Sequence, residues 1–317
     1  ALQQVLACAP QLGTQTVLLD KCLGRVLAED VIADRDQPPF HRSAMDGFAV
    51  RSQNIREGQQ YPIVGTVAAG ADPSTFQTPL TQGNVKRIAT GAPLPEGADA
   101  VIPIELANAD ESNVTFLVRQ VDAWKNVHRR ASDATRGKPV IRAGTRIAPH
   151  HIGIAAAVGA TTLPVVANPR ITLLTTGDEV VSPDTATDAL QPQQIRNSNG
   201  PMLRALLDAV GVPMMTHVHV EDEAEPTLAA AREAIAQSHI VITVGGVSVG
   251  QRDHLPWAWQ RLGMKTIIHA VALQPGKPVL FGTHAGGAAF GLPGSPVAAL
   301  VCARRLVLPY VHALQGG

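Results

Sequence analysis

The chain has 317 residues, with 26 basic and 26 acidic side chains and a hydrophobic content of 45%. The balanced charge excludes the basic excess typical of non-specific nucleic-acid binding, and the hydrophobic content is typical of folded cores rather than disorder. Aromatic residues make up only 3% of the chain, which argues against stacking on nucleic-acid bases. The length predicts about two domains, or one domain split by an insertion.

The cysteine content indicates a reducing compartment. Cys8, Cys22 and Cys302 are odd in number and lack the spacing of a zinc site. We therefore expect free thiols and a cytoplasmic protein. No apolar run reaches the roughly 18 residues of a membrane span, Ile152–Ala160 being among the longest, and we recognise no signal peptide. We expect no association with membranes.

The first half of the chain suggests a split domain. Residues 1–34 combine a short helical pattern with an extended stretch at Thr16–Leu19. Residues 35–133 alternate short apolar stretches, such as Tyr61–Val67, with Gly, Pro and Asn turns, a pattern typical of β-rich structure. A helix over Pro149–Val158 and a strand over Thr162–Ala167 follow. The sequence therefore predicts one domain made of residues 1–34 and 134–168, with residues 35–133 inserted into it.

Strands and helices alternate from Arg170 onward. The predicted strands are Ile171–Thr175, Met214–Val220, 239–244, 264–272, 278–282 and 287–292, and the predicted helices are 202–210, Glu225–Gln237, 254–262 and Pro296–Tyr310. This order predicts an α/β domain over residues 169–317, with a mostly parallel sheet between helices. Ligands of such sheets bind beyond the carboxyl ends of the strands.

A glycine-rich loop follows the predicted strand 239–244. It contains Gly245, Gly246, Ser248 and Gly250, and Asp253 comes shortly after. Glycines let backbone N–H groups approach an anion, and the serine adds a hydroxyl donor. The spacing matches neither a dinucleotide fingerprint nor a P-loop. The loop is either an ordinary tight turn or, as we favour, a binding site for phosphate or a pterin.

Two further turns join this set. Pro293, Gly294, Ser295 and Pro296 lie between a strand and the last predicted helix, where Ser295 is placed either to cap the helix or to bind an anion. The second turn holds Lys277 between Pro275-Gly276 and Pro278, and is either a solvated turn or a source of positive charge for an oxyanion.

Carboxylates also follow the predicted strands. Asp178, Glu179, Asp222 and Asp253 are placed either to hold Mg²⁺ near a phosphate or to cap helices, and capping is the simpler interpretation of Asp222 taken alone. The histidines show no spacing that indicates a metal site. In the β-rich half, the segments 42–50 and 87–93 combine polar and turn residues, and each is consistent with a plain hairpin turn.

Six motifs, in order, resemble the molybdopterin molybdenumtransferases, the MoeA and gephyrin E-domain group. The matching segments are Ser43–Val50, Arg87–Pro93 with Pro95–Gly97, Thr176–Glu179, Gly245–Gly250 with Asp253, Pro275–Pro278 and Gly291–Gly294. They extend over nearly the whole chain. The resemblance implies a multidomain α/β and α+β protein with a split elongated domain for dimerisation, a β-rich insertion and a three-layer α/β domain that binds molybdopterin.

The resemblance also implies an activity. Members of the family use Mg²⁺ and molybdate to convert adenylylated molybdopterin into molybdenum cofactor and release AMP. It implies a homodimer and, as a further partner, a molybdopterin adenylyltransferase. The family's functional positions correspond to Asp46, Thr90, Asp133, Glu179, Asp222, Asp253 and Lys277, with Asp46, Glu179, Asp222 and Asp253 as candidate metal ligands. The molybdopterin-binding positions correspond to Gly245, Gly246, Ser248, Gly250, Pro293, Gly294, Ser295 and Pro296.

Several positions depart from the family pattern. Gln274 replaces a basic residue, Ala298 replaces a serine, and Ala131-Ser132 precedes Asp133 where Gly-Glu is usual. His41 and Arg42 stand where an acidic or amide pair is usual. We also expect the family's C-terminal β-rich domain to be absent. These departures leave a second hypothesis open, in which the chain is a non-catalytic molybdopterin or molybdenum-cofactor scaffold or carrier that has lost molybdate insertion.

Overall fold

The computed structural model describes residues 1–246 and 254–316. Within them the α-helices are α1 Leu2–Leu6, α2 Pro73–Gln77, α3 Pro149–Ala157, α4 Asn199–Asp208, α5 Ala224–Gln237, α6 His254–Arg261, α7 Pro296–Cys302 and α8 Leu308–Leu314. The strands are β1 Thr14–Leu18, β2 Val31–Ile32, β3 Arg42–Ser43, β4 Gly47–Val50, β5 Gln60–Val67, β6 Val85–Ile88, β7 Ala100–Pro103, β8 Ala107–Ala109, β9 Asn113–Phe116, β10 Val127–His128, β11 Pro139–Ile141, β12 Thr162–Val166, β13 Ile171–Thr176, β14 Val180–Val181, β15 Ile195–Arg196, β16 Thr216–Val220, β17 Ile240–Val244, β18 Lys265–His269, β19 Leu280–His284 and β20 Gly287–Leu292.

The predicted α/β arrangement of the last part of the chain is confirmed. Its six-stranded sheet has the order β16-β13-β17-β20-β19-β18, and the first four strands are parallel. Every residue of β17 is buried, as expected for a central parallel strand covered on both faces. The predicted helices correspond to α4, α5, α6 and the α7–α8 stretch.

The strand at the far edge keeps the direction of the parallel strands. β19 runs antiparallel to β20, and β18 runs antiparallel to β19. Two reversals give β18 the direction of β20, so its carboxyl end lies at the same edge of the sheet as those of β17 and β20. The turn that contains Lys277 follows β18 and is therefore at the edge where ligands bind in such sheets.

The last helical stretch packs into the core. The helix α7 continues through the π-helical turn Ala303–Val307 into α8, where Tyr310 is fully buried against Phe281 and Phe290. Pro296–Leu314 has the length and composition of a membrane span, contrary to the sequence expectation, because the pair Arg304-Arg305 does not offset its apolar neighbours. Half of this stretch is buried in the described structure, and that burial accounts for its apolar composition.

The β-rich part of the chain forms its own six-stranded sheet. The strand order is β7-β4-β6-β5-β9-β8, and most neighbouring strands are antiparallel. Phe48, Tyr61 and Phe116 pack together in its core. This agrees with the predicted β-rich structure of the region.

The chain divides into two compact units. One contains residues 1–29, 142–153 and 160–317, and the other contains residues 30–141 and 154–159. Within the first unit, β1 pairs antiparallel with β12, so two segments far apart in sequence share one ribbon. The boundaries expected from sequence, at residues 34/35, 133/134 and 168/169, stay predictions.

Candidate functional site

A cavity of about 300 Å³ lies at the carboxyl edge of the parallel strands. Its walls come from the ends of β13 and β17, the start of α4 and the turn before α7. The lining residues are Thr175, Thr176, Glu179, Val180, Ile195, Arg196, Asn197, Ser198, Asn199, Val244, Gly245, Gly294, Ser295 and Pro296. Glu179, Gly245, Gly294, Ser295 and Pro296, all singled out from sequence, therefore share one cavity.

Two glycines follow β17, and the first of them, Gly245, lines the cavity. Gly245 and Gly246 have φ of +90° and +63°, a region that glycine occupies at little cost. A Cβ atom on Gly245 would lie 3.0 Å from the hydroxyl oxygen of Thr176, and one on Gly246 would lie 3.3 Å from Leu255. A side chain at either position would be strained by the positive φ and would require a small shift of its neighbour. Ser248, Gly250 and Asp253 lie outside the described residues.

The turn before α7 carries a serine at the start of the helix. Ser295 occupies the N-cap position of α7, and within the described part of the chain its side chain makes no capping hydrogen bond, which leaves its hydroxyl available for a ligand. Pro296 occupies the first turn of that helix, as expected, and Pro293 is buried. The Nδ2 atom of Asn199 donates to the carbonyl of Gly294 at 2.8 Å, which ties this turn to the start of α4.

Three carboxylates gather beside the same strand ends. The backbone N–H of Asp222 donates to Oδ1 of Asp178 at 3.1 Å. Burial, together with the negative charges of Asp178 and Glu179, raises the pKa of Asp222 above its ordinary value. Within the described ranges, no three His, Cys, Asp or Glu side chains are close enough together to form a metal site. What the structure contains is a concentration of negative charge that a bound cation would relieve.

In the β-rich unit, Asp46 and Thr90 are in direct contact. The backbone N–H and the hydroxyl of Thr90 donate to Oδ1 of Asp46 at 2.6 and 2.9 Å. These hydrogen bonds, the backbone one first, lower the pKa of Asp46. Ser43 ties the same turns together, since its carbonyl accepts from the N–H of Gly91 at 2.8 Å. The two motifs thus form one unit in which the exposed Asp46 is held as an anion.

Asp133 and Lys277 line cavities of their own. Asp133 is exposed, forms a 3.9 Å ion pair with Arg42 and lines a cavity of about 700 Å³ in the β-rich unit. Lys277 is exposed and lines a cavity of about 580 Å³ together with Gln274 and Gly276. Neither residue lines the cavity that contains Glu179.

Sequence reasoning missed part of the main cavity. Asn197 and Asn199 line it, and the Oδ1 atom of Asn199 is shielded from solvent without a hydrogen-bond partner in the described part of the chain. The signal was present in the run Arg196-Asn197-Ser198-Asn199-Gly200, because polar and turn residues directly before an amphipathic helix mark a strand-to-helix loop.

Comparison with known proteins agrees with this geometry. Residues 172–313 match the family described as a probable molybdopterin binding domain, and residues 1–159 match the MoeA N-terminal region, domains I and II. The molybdopterin molybdenumtransferase of Synechocystis is 35% identical over 97% of this chain and 78% of its own length. That of Bacillus subtilis is 34% identical over 98% of this chain and 73% of its own length.

Solved structures lead to the same family. A molybdopterin biosynthesis MoeA protein of Pyrococcus superposes with a TM-score of 0.81 at 29% identity and covers 99% of this chain and 78% of that one. The last part of the chain is thus a molybdopterin-binding α/β domain. The whole chain belongs to the molybdopterin molybdenumtransferase (MoeA) family, and it is a transferase of molybdenum cofactor biosynthesis.

Proposed function

We propose that this chain inserts molybdate into adenylylated molybdopterin in a Mg²⁺-dependent reaction that releases AMP. The observation that carries the proposal is the cavity at the carboxyl edge of the sheet, where Glu179, Gly245 and Ser295 meet in a domain of the molybdopterin-binding family. Backbone N–H groups exposed by glycine and a free hydroxyl are suited to the phosphate of such a substrate.

The start of α4 supports recognition of the pterin. The amide nitrogen of Asn199 donates to the carbonyl of Gly294. The amide oxygen, Oδ1, is shielded from solvent and has no donor among the described residues. An unpaired buried acceptor is costly, and the N–H groups of a pterin ring would satisfy it. Gly246, Gly294, Pro293 and Pro296 would shape the remaining wall, with Ser248 and Gly250 completing the glycine loop.

The carboxylates are the candidate ligands for a divalent cation. Asp46, Glu179, Asp222 and Asp253 stay the candidate ligands, of which Glu179 and Asp222 lie in the same compact unit. Burial, and after it the negative charges of Asp178 and Glu179, raise the pKa of Asp222, and Mg²⁺ would balance those charges. When bound, Mg²⁺ would neutralise negative charge on the pyrophosphate link of the substrate. Thr90 keeps Asp46 ionised and oriented. We propose that Lys277 supplies positive charge to the oxyanion. Asp133, which forms an ion pair with Arg42, is a further candidate catalytic residue.

The proposal includes an assembly and a location. By analogy with the family, the active form is a homodimer, and a molybdopterin adenylyltransferase supplies the adenylylated substrate. The three cysteines are free thiols, which is consistent with the cytoplasm.

A direct assay tests this function. The purified protein is incubated with adenylylated molybdopterin, Mg²⁺ and molybdate, and AMP release and cofactor formation are followed together. We expect both products, and we expect chelation of Mg²⁺ to stop both. Asp46→Ala should abolish turnover while molybdopterin binding stays nearly intact, because Asp46 lies in the β-rich unit and not in the pterin cavity. Full turnover by Asp46→Ala would show that Asp46 has only a structural role in its turn.

A non-catalytic molybdopterin scaffold is the second candidate. Gln274 favours it, because this exposed side chain removes a positive charge beside Lys277. Ala298 supports it less, since this residue is only 5% exposed on α7 and a serine there would be buried. Tight binding of molybdopterin without AMP release would establish the scaffold. Restoration of AMP release by Gln274→Lys would then identify the lost charge as the cause.

A further inference from the structure

A polar cluster lies directly behind the molybdopterin cavity. The hydroxyl oxygen of Thr175 is 3.0 Å from Nε2 of His217, 3.1 Å from Nδ1 of His219 and 3.3 Å from Nδ2 of Asn197. Thr175 and Asn197 are buried, with 3% and 8% of their surfaces exposed. His217 is half-buried and His219 is exposed, so it is the buried Thr175 and Asn197 whose donors and acceptors must be matched within the protein.

One assignment makes every one of these contacts favourable, including the longer one between Asn197 and His217. The Oδ1 atom of Asn197 accepts from the N–H of Gly200 at 3.0 Å, so its Nδ2 faces Thr175 and can only donate. A hydroxyl accepts two hydrogen bonds and donates one, so one histidine must donate to Thr175 and the other must accept from it. Nδ2 of Asn197 also lies 3.5 Å from Nε2 of His217, a contact that is favourable when His217 is the acceptor, and we assign the roles in this way. His217 is therefore neutral with its proton on Nδ1, and His219 donates from Nδ1.

The same histidine supports the wall of the cavity. Thr175 and Asn197 line that cavity directly. The ring of His217 lies against Gly200 so closely that a Cβ atom there would be 2.5 Å from Cε1. Gly200 is next to Asn199, which holds the turn of Gly294. A substitution of His217 is therefore expected to shift both the start of α4 and the turn before α7.

We propose that His217 is a positioning residue of the molybdopterin site, which through Thr175 and Asn197 fixes the start of α4, and that it does so only as a neutral imidazole. The proposal rests on the proposed function of this cavity as the molybdopterin site. Protonation would place an N–H on Nε2 against the Asn197 amide and against a hydroxyl whose lone pairs are already used. Acid then loosens the wall and weakens binding.

The charged groups around the ring favour its neutral form. Arg204 acts on it from α4 and His219 from its own strand, while Thr175 on β13 and the amide of Asn197 do not titrate. Burial first, and then the charges of Arg204 and His219, lower the pKa of His217. The site is therefore intact near neutral pH and is weakened only in moderately acidic solution.

Two variants distinguish the effect of the ring shape of His217 on binding from the effect of its protonation. His217→Gln keeps an acceptor near Nε2 and does not titrate, whereas His217→Phe keeps a ring against Gly200 but has no acceptor. Molybdopterin affinity is measured at pH 7.5 and pH 5.0. At pH 7.5 we expect His217→Phe to bind about tenfold more weakly than wild type, and His217→Gln to bind within about twofold of it. Between the two pH values, wild type should lose about threefold or more in affinity relative to His217→Gln.

His284→Gln is the matched control. His284 also has a lowered pKa, caused by burial and His239, but it ends β19 at the opposite edge of the sheet. This variant should show the wild-type pH dependence of binding. Identical pH dependence in wild type and His217→Gln would overturn the proposal.

Nitrogen NMR of the imidazole rings provides a readout that does not depend on the ligand. We expect His217 as the Nδ1–H tautomer at pH 7.5, and an Nε2–H tautomer would also overturn the proposal. If wild type fails to bind molybdopterin at pH 7.5, the proposed function of the cavity fails. The NMR result still decides the state of His217 in that case.

Discussion

At the scale of single residues, the most constrained positions are those where two backbones nearly touch. Gly47 begins β4 and pairs with Pro103 of β7, and a Cβ atom on it would lie 2.1 Å from the carbonyl oxygen of Ile102. That oxygen belongs to a buried strand and cannot move aside. The glycine of the Asp46-Gly47 pair is therefore required by packing, and it joins the turn of Asp46 directly to the sheet.

We expect Gly47→Ala to lower the free energy of unfolding by about 3 kcal/mol, since the added methyl forces the β4–β7 pairing apart. Urea unfolding measures the change. Gly153→Ala is the control, because Gly153 lies within α3 and a methyl group on it would have nothing within 4 Å. That substitution should raise stability by about 0.5–1 kcal/mol. Equal effects of the two substitutions would contradict the packing argument.

Ala131 has a backbone conformation that suits glycine better than alanine. It has φ of +62°, a conformation that L-residues adopt at a cost. Ala131→Gly should therefore raise the free energy of unfolding by about 0.5–1 kcal/mol, even though glycine makes the unfolded chain more flexible. The midpoint of chemical unfolding is the measurement. A lower midpoint would mean that the methyl group of Ala131 contributes more through packing than its backbone costs.

At the scale of elements, a loop at the carboxyl edge of the sheet depends on the helix packed behind it. The turn that contains Lys277 rests on α7, where the thiol of Cys302 donates to the carbonyl of Gly276 at 3.5 Å. Gly276 has φ of +122°, and a Cβ atom there would lie 2.5 Å from Sγ of Cys302. Burial raises the pKa of Cys302 to about 11, so the thiol acts as an inert packing group.

This contact predicts coupling between two substitutions. Gly276→Ala should be strongly destabilising, and Cys302→Ala should remove the steric part of that effect. The double variant should therefore be more stable than the sum of the single effects by about 1 kcal/mol. Gly83→Ala isolates the conformational cost, because Gly83 has φ of +84° and nothing within 4 Å. Strict additivity in calorimetric unfolding would show that the turn does not rest on Cys302.

At the scale of the whole molecule, buried histidines make stability sensitive to acid. Burial lowers the pKa of half-buried histidines in both compact units, namely His41, His217, His239, His284 and His312. Each has a folded pKa below its unfolded value of 6.5, so the unfolded chain binds protons more readily. Their contribution to stability is complete above pH 6.5 and is lost as the pH falls through the folded values.

We therefore expect the thermal midpoint to fall between pH 7.5 and pH 5.0, before the carboxylates with lowered pKa begin to titrate. Asp36 and Asp46 have pKa values below 3.8 and lose their contribution only in stronger acid. His284→Gln should reduce the size of the fall. A thermal midpoint that is constant over this range would contradict the role of the buried histidines.

The sequence by itself determined the family, the α/β order of the last part of the chain and several of the loops that line the cavity. These features are local, because apolar strands, amphipathic helices and glycine or proline turns leave a pattern in consecutive residues. The same pattern predicted that Gly245 and Ser295 lie at strand ends, and both line the cavity.

Only the tertiary structure decided which side chains meet. Asp46 and Thr90 are 44 positions apart in the chain, and Thr175 and His217 are 42 apart, yet each pair is in hydrogen-bond contact. Such contacts depend on strand order and register, which a single sequence does not encode locally. The protonation of His217 and Asp222 depends in turn on burial and neighbouring charge. The sequence sets which residues are present, and the fold sets their neighbours and therefore their protonation.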